Sequence, residues 1–281
     1  MIALPEIETI RRDLDRELSG LRIKSVEVFE TGHAKRSGGP KKLAARLEKM
    51  KITNVRRRGL YLIMGLDSED VVVAHLGSGG QLRRHANRDS IEPNTAVAIT
   101  FTKSGQLRLV DGTGDATLFL ANAEKLIEEV PELGGLGIDP LEQPVPWRMF
   151  GEILLAQDAK LKAVLTDDRV VVGLGEVYSD EILFAAGLRF DRLPNSLGPQ
   201  EVRRLHRAMV ETLHDAAKHR GATLEDGFYV DVHGKPGGYE EYLNVFKQAG
   251  KGGRPCPRCH RPIQKYRFRR RWTYYCEQCQ I

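Results

Sequence analysis

Four cysteines near the C-terminal end of the chain have the spacing of a metal site. They form two Cys-x-x-Cys pairs, Cys256 with Cys259 and Cys276 with Cys279, and sixteen residues separate the pairs. Two residues between cysteines allow a tight turn that directs both thiolates at one ion, and a second pair completes a tetrahedral four-thiolate set. The spacing predicts one structural Zn²⁺ in a zinc finger over residues 246–281.

The segment between the two cysteine pairs alternates basic and aromatic side chains. The basic members are Lys265, Arg267, Arg269, Arg270 and Arg271, and the rings are Tyr266, Phe268, Trp272 and Tyr274. Alternation with period two predicts a β-hairpin with charge on one side and rings on the other, suited to a phosphate backbone. The alternative is a structural zinc ribbon whose charges only solvate it.

The positive charge of the chain is concentrated in this tail. Residues 251–281 hold nine bases and one acid, a local net charge of +8, whereas the whole chain carries only +5. The first 250 residues therefore have 34 bases and 37 acids, a net charge of −3. This asymmetry indicates a polyanionic partner that is held at one end of the molecule.

Composition bounds the class of protein. A chain of 281 residues with 41% hydrophobic content is long enough for two domains with sizeable cores. All four cysteines belong to the metal motif, so no disulfide framework is expected. With no apolar run of membrane length and no signal-peptide pattern, we expect a monomer in the cytoplasm, with possible nucleoid association and no membrane partner.

The order of elements predicts an α+β protein. Helical periodicity predicts a first helix over residues 5–19 and another over 41–50. Between and after them, β-rich segments at 22–30, 51–66, 70–77, 95–102 and 105–112 predict an antiparallel β-sandwich with flanking helices. Further helices are predicted over 147–166, 176–187 and 198–220. We therefore expect a β-sandwich domain at 1–120, a linker at 121–146, a helical domain at 147–245 and the finger at 246–281.

Two glycines precede the second of these later helices. Gly173 and Gly175 permit a sharp turn that presents backbone N–H groups ahead of the helix, which is a ready anion site. The alternative is an ordinary packing corner between two helices.

Four segments in a fixed order give a more specific indication. LPEIETIRR near the start, HLG at 75–77, GLGEVYSDEILFAAGL at 173–188 and the CPRC to YYCEQCQ finger together resemble the formamidopyrimidine-DNA glycosylase and endonuclease VIII family. The resemblance covers essentially the whole chain. It implies an N-terminal β-sandwich, a C-terminal helix-two-turn-helix domain, a zinc-finger hairpin and double-stranded DNA as partner.

The same resemblance implies that the catalytic positions have changed. Members of the family excise oxidised bases with the amine of an N-terminal proline, which forms a Schiff base with the sugar. Here the proline position is Ile2, its partner glutamate is Ala3 and the hairpin lysine is Leu60. A bulky Ile2 should discourage removal of Met1, which would leave the terminal amine one residue too far along, and Ala3 cannot act as general acid or base. Leu60 cannot replace the lysine, and Glu6 is the one acid left nearby.

The side chains that fill the gap left by a flipped base differ too. The methionine of the family's HLGM is Ser78, and the arginine and phenylalanine loop reads Asp111-Gly112-Thr113-Gly114-Asp115-Ala116. Filling an unstacked gap needs large side chains, which Ser78, Thr113 and Asp115 do not provide.

The positions expected to contact phosphate are kept in part. His75 and Arg271 match the family's phosphate ligands, and Glu176 and Phe246 replace an asparagine and a tyrosine. The expected nucleic-acid contacts are His75, Lys162, Gly175, Glu176, Arg269 and Arg271.

These substitutions predict a zinc-finger DNA-binding protein that no longer excises bases and recognises damaged or unusual DNA. Two alternatives stay open. One is an active glycosylase or abasic-site lyase that uses another nucleophile, such as the Met1 amine or a lysine. The other is a protein that binds RNA or a ribonucleoprotein.

Overall fold

The computed structural model describes residues 2–225, 227–250 and 252–281. The chain forms two compact units. The first comprises the residues up to Gly135 together with His219–Gly238, and the second comprises Leu136–Lys218 together with Tyr239–Ile281. Residues 219–238, which the sequence analysis assigns to the helical domain, thus lie in the first unit, and the linker of 121–146 is divided between the two units.

The first unit begins with helix α1, Leu4–Leu18, whose apolar side chains recur at helical spacing and are buried. Pro5 fits the first turn because the backbone N–H groups there have no partner within the helix. Glu6 Oε2 accepts the backbone N–H of Ala3 at 3.0 Å and so closes the start of the helix. The predicted helix over 5–19 is confirmed to within one residue at each end.

Among its described residues, the first unit also contains two further α-helices and eight strands, besides short 3-10 turns. The helices are α2 (Pro40–Leu47) and α3 (Leu126–Glu129). The strands are β1 (Ile23–Val28), β2 (Ile52–Arg58), β3 (Tyr61–Leu66), β4 (Asp70–His75), β5 (Gln81–His85), β6 (Thr95–Phe101), β7 (Gln106–Val110) and β8 (Thr117–Asn122).

Two antiparallel four-stranded sheets carry the core. Their orders are β1-β6-β7-β5 and β2-β3-β4-β8. Apolar side chains of both sheets and of α1 form one buried cluster, so the expected sandwich with flanking helices is confirmed. Strands β5 and β8 were not predicted. QLRRH has one apolar residue in five and TLFLAN lacks a clean alternation, so only pairing with β7 and β4 makes them strands.

Buried polar contacts hold residues 219–238 in the first unit. Glu6 Oε1 accepts the N–H of Ala222 at 2.8 Å, and Arg84 donates its backbone N–H to the Val232 carbonyl at 2.7 Å. Arg220 pairs with the carboxylates of Asp13 and Asp231. These partners are far apart in sequence, which is why local pattern does not reveal this return of the chain.

The second unit holds four helices and a two-stranded hairpin. They are α4 (Trp147–Leu155), α5 (Leu161–Leu165), α6 (Gly175–Ala186), α7 (Pro199–Lys218), β9 (Gln264–Phe268) and β10 (Arg271–Tyr275). The single helix predicted over 147–166 is wrong, because the backbone breaks between α4 and α5. There the N–H groups of Leu161 and Lys162 bond the carbonyls of Arg192 and Phe190 instead of a preceding turn. Within the described residues, no helix combines the length and apolarity that a membrane crossing requires.

Candidate metal centre and nucleic-acid interface

The four cysteine sulfurs of the second unit converge on one point. All four Sγ atoms lie within 4.8 Å of one another, with 3.8 Å between Cys256 and Cys279 and 3.5 Å between Cys259 and Cys276. Zn–S bonds of about 2.3 Å in a tetrahedron place sulfurs about 3.8 Å apart. The backbone N–H of Arg261 lowers the pKa of the Cys259 thiol to about 7, whereas burial raises the pKa of the Cys276 and Cys279 thiols. The cluster therefore has the geometry to hold a metal ion.

Strands β9 and β10 form the predicted hairpin between the cysteine pairs. Arg271 pairs with Phe268 across the hairpin, and Arg269 and Arg270 form the two-residue turn with φ of 44° and 67°. Both turn residues therefore adopt the left-handed conformation that this tight turn requires and that glycine usually supplies. Their side chains lie at the end of the hairpin.

The expected separation of charge and rings on the two faces of the hairpin is wrong. The register places Arg271 beside Phe268 on one face and Trp272 beside Arg267 on the other. A two-residue turn sets this register, and a shift of one residue would exchange the faces of one strand. The face with Tyr266, Phe268 and Tyr275 packs on Phe190, with ring centroids 5.4, 5.8 and 5.1 Å away. Each face thus mixes cations with aromatic rings.

Asp180 of α6 forms a buried ion pair with Lys162 of α5 and also bonds the hairpin. Lys162 is 1% exposed, and its Nζ donates to Asp180 Oδ1 at 2.7 Å, Ser179 Oγ at 2.8 Å and the Glu176 carbonyl at 2.9 Å. Asp180 also accepts the Thr273 hydroxyl and, at 2.8 Å, the Tyr274 N–H. Burial raises the pKa of Asp180 to about 6, and these donors oppose that rise.

This geometry corrects the expectation that Lys162 contacts nucleic acid. An ammonium group has three donor protons, and those of Lys162 are directed at three internal acceptors. Its place in the structure is to tie α5 and α6 to β10. The expectation followed from sequence position alone, and burial decides against it.

Glu176 lies beside two cations at the start of α6. Its carboxylate is 3.1 Å from Lys162 Nζ and 3.8 Å from Arg271 Nε. A carboxylate in the first turn also interacts favourably with the helix dipole. Glu176 and Arg271 both occupy positions expected to contact phosphate, and the structure brings them together as an ion pair.

The glycine turn before α6 has a partner of its own. Gly173 and Gly175 have positive φ, as the predicted sharp turn requires. The N–H of Gly173, however, donates to Asp168 Oδ1 at 2.8 Å. The Asp168 carboxylate therefore already binds at least one of the amides that were expected to bind an anion.

Glu181, in the middle of α6, organises the chain that leads to the finger. Its buried carboxylate accepts the backbone N–H groups of Asn244, Val245 and Phe246 at 2.8 to 2.9 Å. It thereby fixes the chain just ahead of the finger, where the Phe246 ring meets the Tyr274 ring at 5.2 Å between centroids. The signal in the sequence was an acid within an apolar helical segment.

In the first unit, the positions of the expected nucleophile and acid are buried and aliphatic. Ile2 and Ala3 are each 5% exposed, and Ile2 belongs to the core cluster. Leu60 lies in the turn between β2 and β3 and packs against the same cluster. Both oxygens of Glu6, the remaining acid, accept backbone N–H groups. Glu6 is therefore placed to organise the backbone.

His75 ends strand β4 next to the glycine-containing loop that follows it. Its ring centroid lies 4.6 Å from that of Tyr61, and its Nδ1 accepts the N–H of Gly77 at 3.3 Å. His75 is half-buried, so the structure leaves part of the imidazole at the surface. Arg269 and Arg271, in contrast, lie in the second unit with their side chains exposed.

The two loops expected to carry gap-filling side chains are bonded to each other. Asp115 accepts the N–H of Ser78 with both carboxylate oxygens, at 2.9 and 3.1 Å. Asp111 in turn accepts the N–H groups of Thr113, Gly114 and Ala116, each at 2.9 Å. Small side chains and a carboxylate thus occupy these positions, and internal hydrogen bonds hold both loops.

The Asp111 contacts predict acid sensitivity of the first unit. Hydrogen bonds from His33, Thr113 and the backbone outweigh burial and lower the pKa of Asp111 to about 2 from 3.8. A depressed folded-state pKa gives stability that is present above about pH 4 and lost as the pH falls toward about 2, worth about 2 kcal/mol. We expect Asp111→Asn to lower the free energy of unfolding by about that amount at pH 7, measured with urea.

Glu124→Gln, at an exposed carboxylate of the same unit, is the control and should change stability little at either pH. Equal loss of stability on acidification in Asp111→Asn and the unmodified chain would contradict this account of Asp111.

Comparison with known proteins identifies the family. Residues 1–114 match the formamidopyrimidine-DNA glycosylase N-terminal domain, and residues 136–227 match the formamidopyrimidine-DNA glycosylase H2TH domain. The chain is 37% identical over 267 residues to the formamidopyrimidine-DNA glycosylase of Moorella thermoacetica, covering 95% of each chain. It is 34% identical over 280 residues to that of Pelotomaculum thermopropionicum, covering 100% of this chain and 99% of the relative.

Solved structures agree with these matches. The Lactococcus lactis Fpg in complex with abasic-site DNA superimposes with a TM-score of 0.89 at 27% identity, over 99% of both chains. The MutM (Fpg) protein from Thermus thermophilus gives 0.86 at 33% identity, over 99% of this chain and 98% of that one. The fold and the matched domains define a glycosylase-type protein with a helix-two-turn-helix domain. The chain belongs to the formamidopyrimidine-DNA glycosylase family, which confirms the resemblance found in the sequence.

Proposed function

We propose that this protein binds double-stranded DNA without excising bases, and that its role is to recognise damaged or structurally unusual DNA. The proposed absence of base excision rests on two residues near the N-terminus. Ile2 and Ala3 occupy the positions of the family's nucleophile and acid, and both are aliphatic and buried. Ala3 offers no proton-transfer group, and the bulky Ile2 disfavours removal of Met1, which would leave the terminal amine one residue away from the family's position.

Family membership and charge support the DNA-binding half. The Lactococcus lactis relative has been solved with DNA. In this chain, the hairpin and its turn carry five basic side chains on a fixed scaffold. Neutralising phosphates with such side chains releases counterions, so binding should weaken steeply with salt. A protein with this role acts in the cytoplasm, at the chromosome.

One Zn²⁺ ion held by the four cysteines completes the proposal. The sulfur spacing fits tetrahedral zinc, and no carboxylate or imidazole is needed to complete the set. The ion would supply no chemistry of its own. It would hold the two cysteine turns together, and with them the ends of the hairpin that presents Arg269 and Arg271.

Borohydride trapping tests the absence of base excision. The protein is incubated with duplexes containing an abasic site, 8-oxoguanine or an oxidised pyrimidine, and any Schiff base is reduced to a stable covalent adduct. We expect salt-sensitive binding with no adduct and no strand cleavage. Intact-mass analysis of the purified protein gives the state of Met1.

Two results would overturn parts of the proposal. An adduct that disappears when the N-terminus is blocked would show an active lyase that uses the Met1 amine. Preference for structured RNA over duplex DNA, measured by competition at one salt concentration, would replace the DNA assignment with RNA binding.

Removing the charge of Glu176 should strengthen DNA binding. Its carboxylate lies 3.8 Å from Arg271 Nε and would face the same phosphate. Repulsion between this carboxylate and the phosphate costs about 1 kcal/mol at the dielectric of a protein surface. Glu176→Gln should therefore tighten DNA binding about fivefold, as measured by fluorescence anisotropy.

Arg271→Ala is the companion variant. It should keep its fold, bind DNA more weakly and release about one counterion fewer on binding, which lowers the salt dependence. In the double variant the gain from Glu176→Gln should shrink, because the cation whose phosphate contact it improves is gone. Weaker binding by Glu176→Gln alone would show instead that the carboxylate holds Arg271 in its binding geometry.

A further inference from the structure

Trp272 differs from every other aromatic side chain of the hairpin. Tyr266, Phe268 and Tyr275 pack on Phe190, and Tyr274 packs on Phe246. Trp272 points to the opposite face from the Phe190 cluster and is 47% exposed, and Tyr266, at 53%, is as exposed but has the Phe190 ring as its partner. Within the part of the chain that the structure describes, Trp272 has no aromatic partner. Packing therefore accounts for the other rings of the hairpin and leaves this one unexplained.

One cation lies over the exposed ring, and a second is its cross-strand neighbour. Lys265 Nζ lies 4.9 Å from the ring centroid, and Arg267 is the cross-strand neighbour of Trp272 on the same face. Of the five basic residues of the hairpin and its turn, only Arg271 pairs with a carboxylate among the described residues. Lys265 and Arg267 thus keep their positive charge available beside the indole.

An aromatic ring next to cations that have no carboxylate partner is suited to bind the base and the phosphates of a nucleotide. The indole can stack on the face of a base while the cations meet the adjoining phosphates. An intact duplex does not offer such a face, because each base is already stacked between its neighbours. A base becomes available only where pairing or stacking is interrupted, and such bases are bound by aromatic stacking in many single-strand binders.

We propose that Trp272 stacks on an unpaired base, so that the preferred ligand is duplex DNA containing a short unpaired stretch. This inference rests on the proposed DNA binding and specifies its ligand class. The basic residues of the hairpin would bind the backbone of fully paired DNA and of DNA with an unpaired stretch, whereas Trp272 would distinguish these two ligands. The preference therefore belongs to one side chain and can be removed separately from binding.

The two tryptophans of the chain allow a direct test. Trp147→Phe leaves Trp272 as the single fluorophore, and Trp272→Phe leaves Trp147, which lies on α4 with Arg203 4.6 Å from its ring. Each variant is titrated with a fully paired duplex and with the same duplex carrying a central unpaired loop of thymines, at one stated salt concentration. Affinities of Trp272→Ala and Trp147→Ala are measured with both DNAs.

The expected result has two parts. The looped duplex should quench the fluorescence of Trp272 but not that of Trp147. Trp272→Ala should weaken binding to the looped duplex about tenfold, within the range of base–aromatic stacking, and change binding to the paired duplex less than twofold. Trp147→Ala should leave both affinities unchanged.

Two other outcomes would overturn the inference in different ways. Binding of both DNAs without quenching of Trp272, or equal weakening of both by Trp272→Ala, would sink the stacking role and leave the proposed function standing. Failure of the unmodified protein to bind either DNA would overturn the proposed function and this inference together.

Discussion

Replacing Cys276 with alanine is expected to release the bound metal and unfold the finger. The four sulfurs lie within 4.8 Å of one another, so a single ion would bridge both cysteine turns and would lose a quarter of its ligands in this variant. Structural zinc contributes about 10–16 kcal/mol of apparent folding free energy in zinc-finger peptides. A two-stranded hairpin alone is marginal in water. Packing on Phe190 and the Asp180 contacts reach the strands of the hairpin, but neither joins the two cysteine turns to each other.

Metal content and local protection would show this directly. We expect about one zinc per chain in the unmodified protein, and loss of zinc in Cys276→Ala together with rapid amide exchange over residues 256–281. A chelator should produce the same exchange pattern. Glu277→Ala, at the exposed position next to the cysteine, is the control and should keep both the metal and the protection. A Cys276→Ala protein with one zinc and a protected hairpin would refute the four-cysteine site.

Replacing Lys162 with methionine is expected to lower the free energy of unfolding of the second unit by about 3–5 kcal/mol. Lys162 and Asp180 are both 1% exposed and 2.7 Å apart, so the substitution leaves a carboxylate buried without its counter-charge. Asp180 would keep its bonds from Thr273 and Tyr274, but neither donor carries a charge. The loss should appear in urea unfolding followed by a probe in the second unit.

Neighbouring positions supply the controls for this prediction. Lys160→Met removes an exposed lysine two residues earlier and should cost less than about 0.5 kcal/mol. Adding Asp180→Asn to Lys162→Met should recover part of the stability, because it removes the unpaired charge. A loss below about 1 kcal/mol in the single variant, with no recovery in the double, would show that the pair is not an energetic link between α6 and the hairpin.

The sequence could predict those elements whose signal is local. Helix α1 follows from apolar spacing with Pro5 in its first turn, and the hairpin follows from alternation between two cysteine pairs. The four-cysteine cluster could be predicted for the same reason, since a Cys-x-x-Cys pair encodes its own turn. Strand β5 was missed because its side chains carry little pattern, and pairing with β7 supplies what propensity does not.

Site residues divide in the same way. The substitutions at Ile2, Ala3 and Leu60 are visible in the sequence, because each falls within a recognisable motif. That Lys162 is internal is not visible, because its acceptors Ser179 and Asp180 lie 17 and 18 residues further along the chain and become neighbours only when α5 packs on α6. Likewise, the two faces of the hairpin depend on which residues form its turn.

The sequence by itself determined the family, the four-cysteine set, the concentration of positive charge and the residues Ile2, Ala3 and Leu60 at the expected catalytic positions. Only the tertiary structure decided that residues 219–238 return to the first unit, that Glu176 pairs with Arg271, that Lys162 is buried and that Trp272 is exposed. The physical reason is range. Spacing and side-chain chemistry act over a few residues, whereas burial, register and ion pairing depend on segments that meet only when the chain has folded.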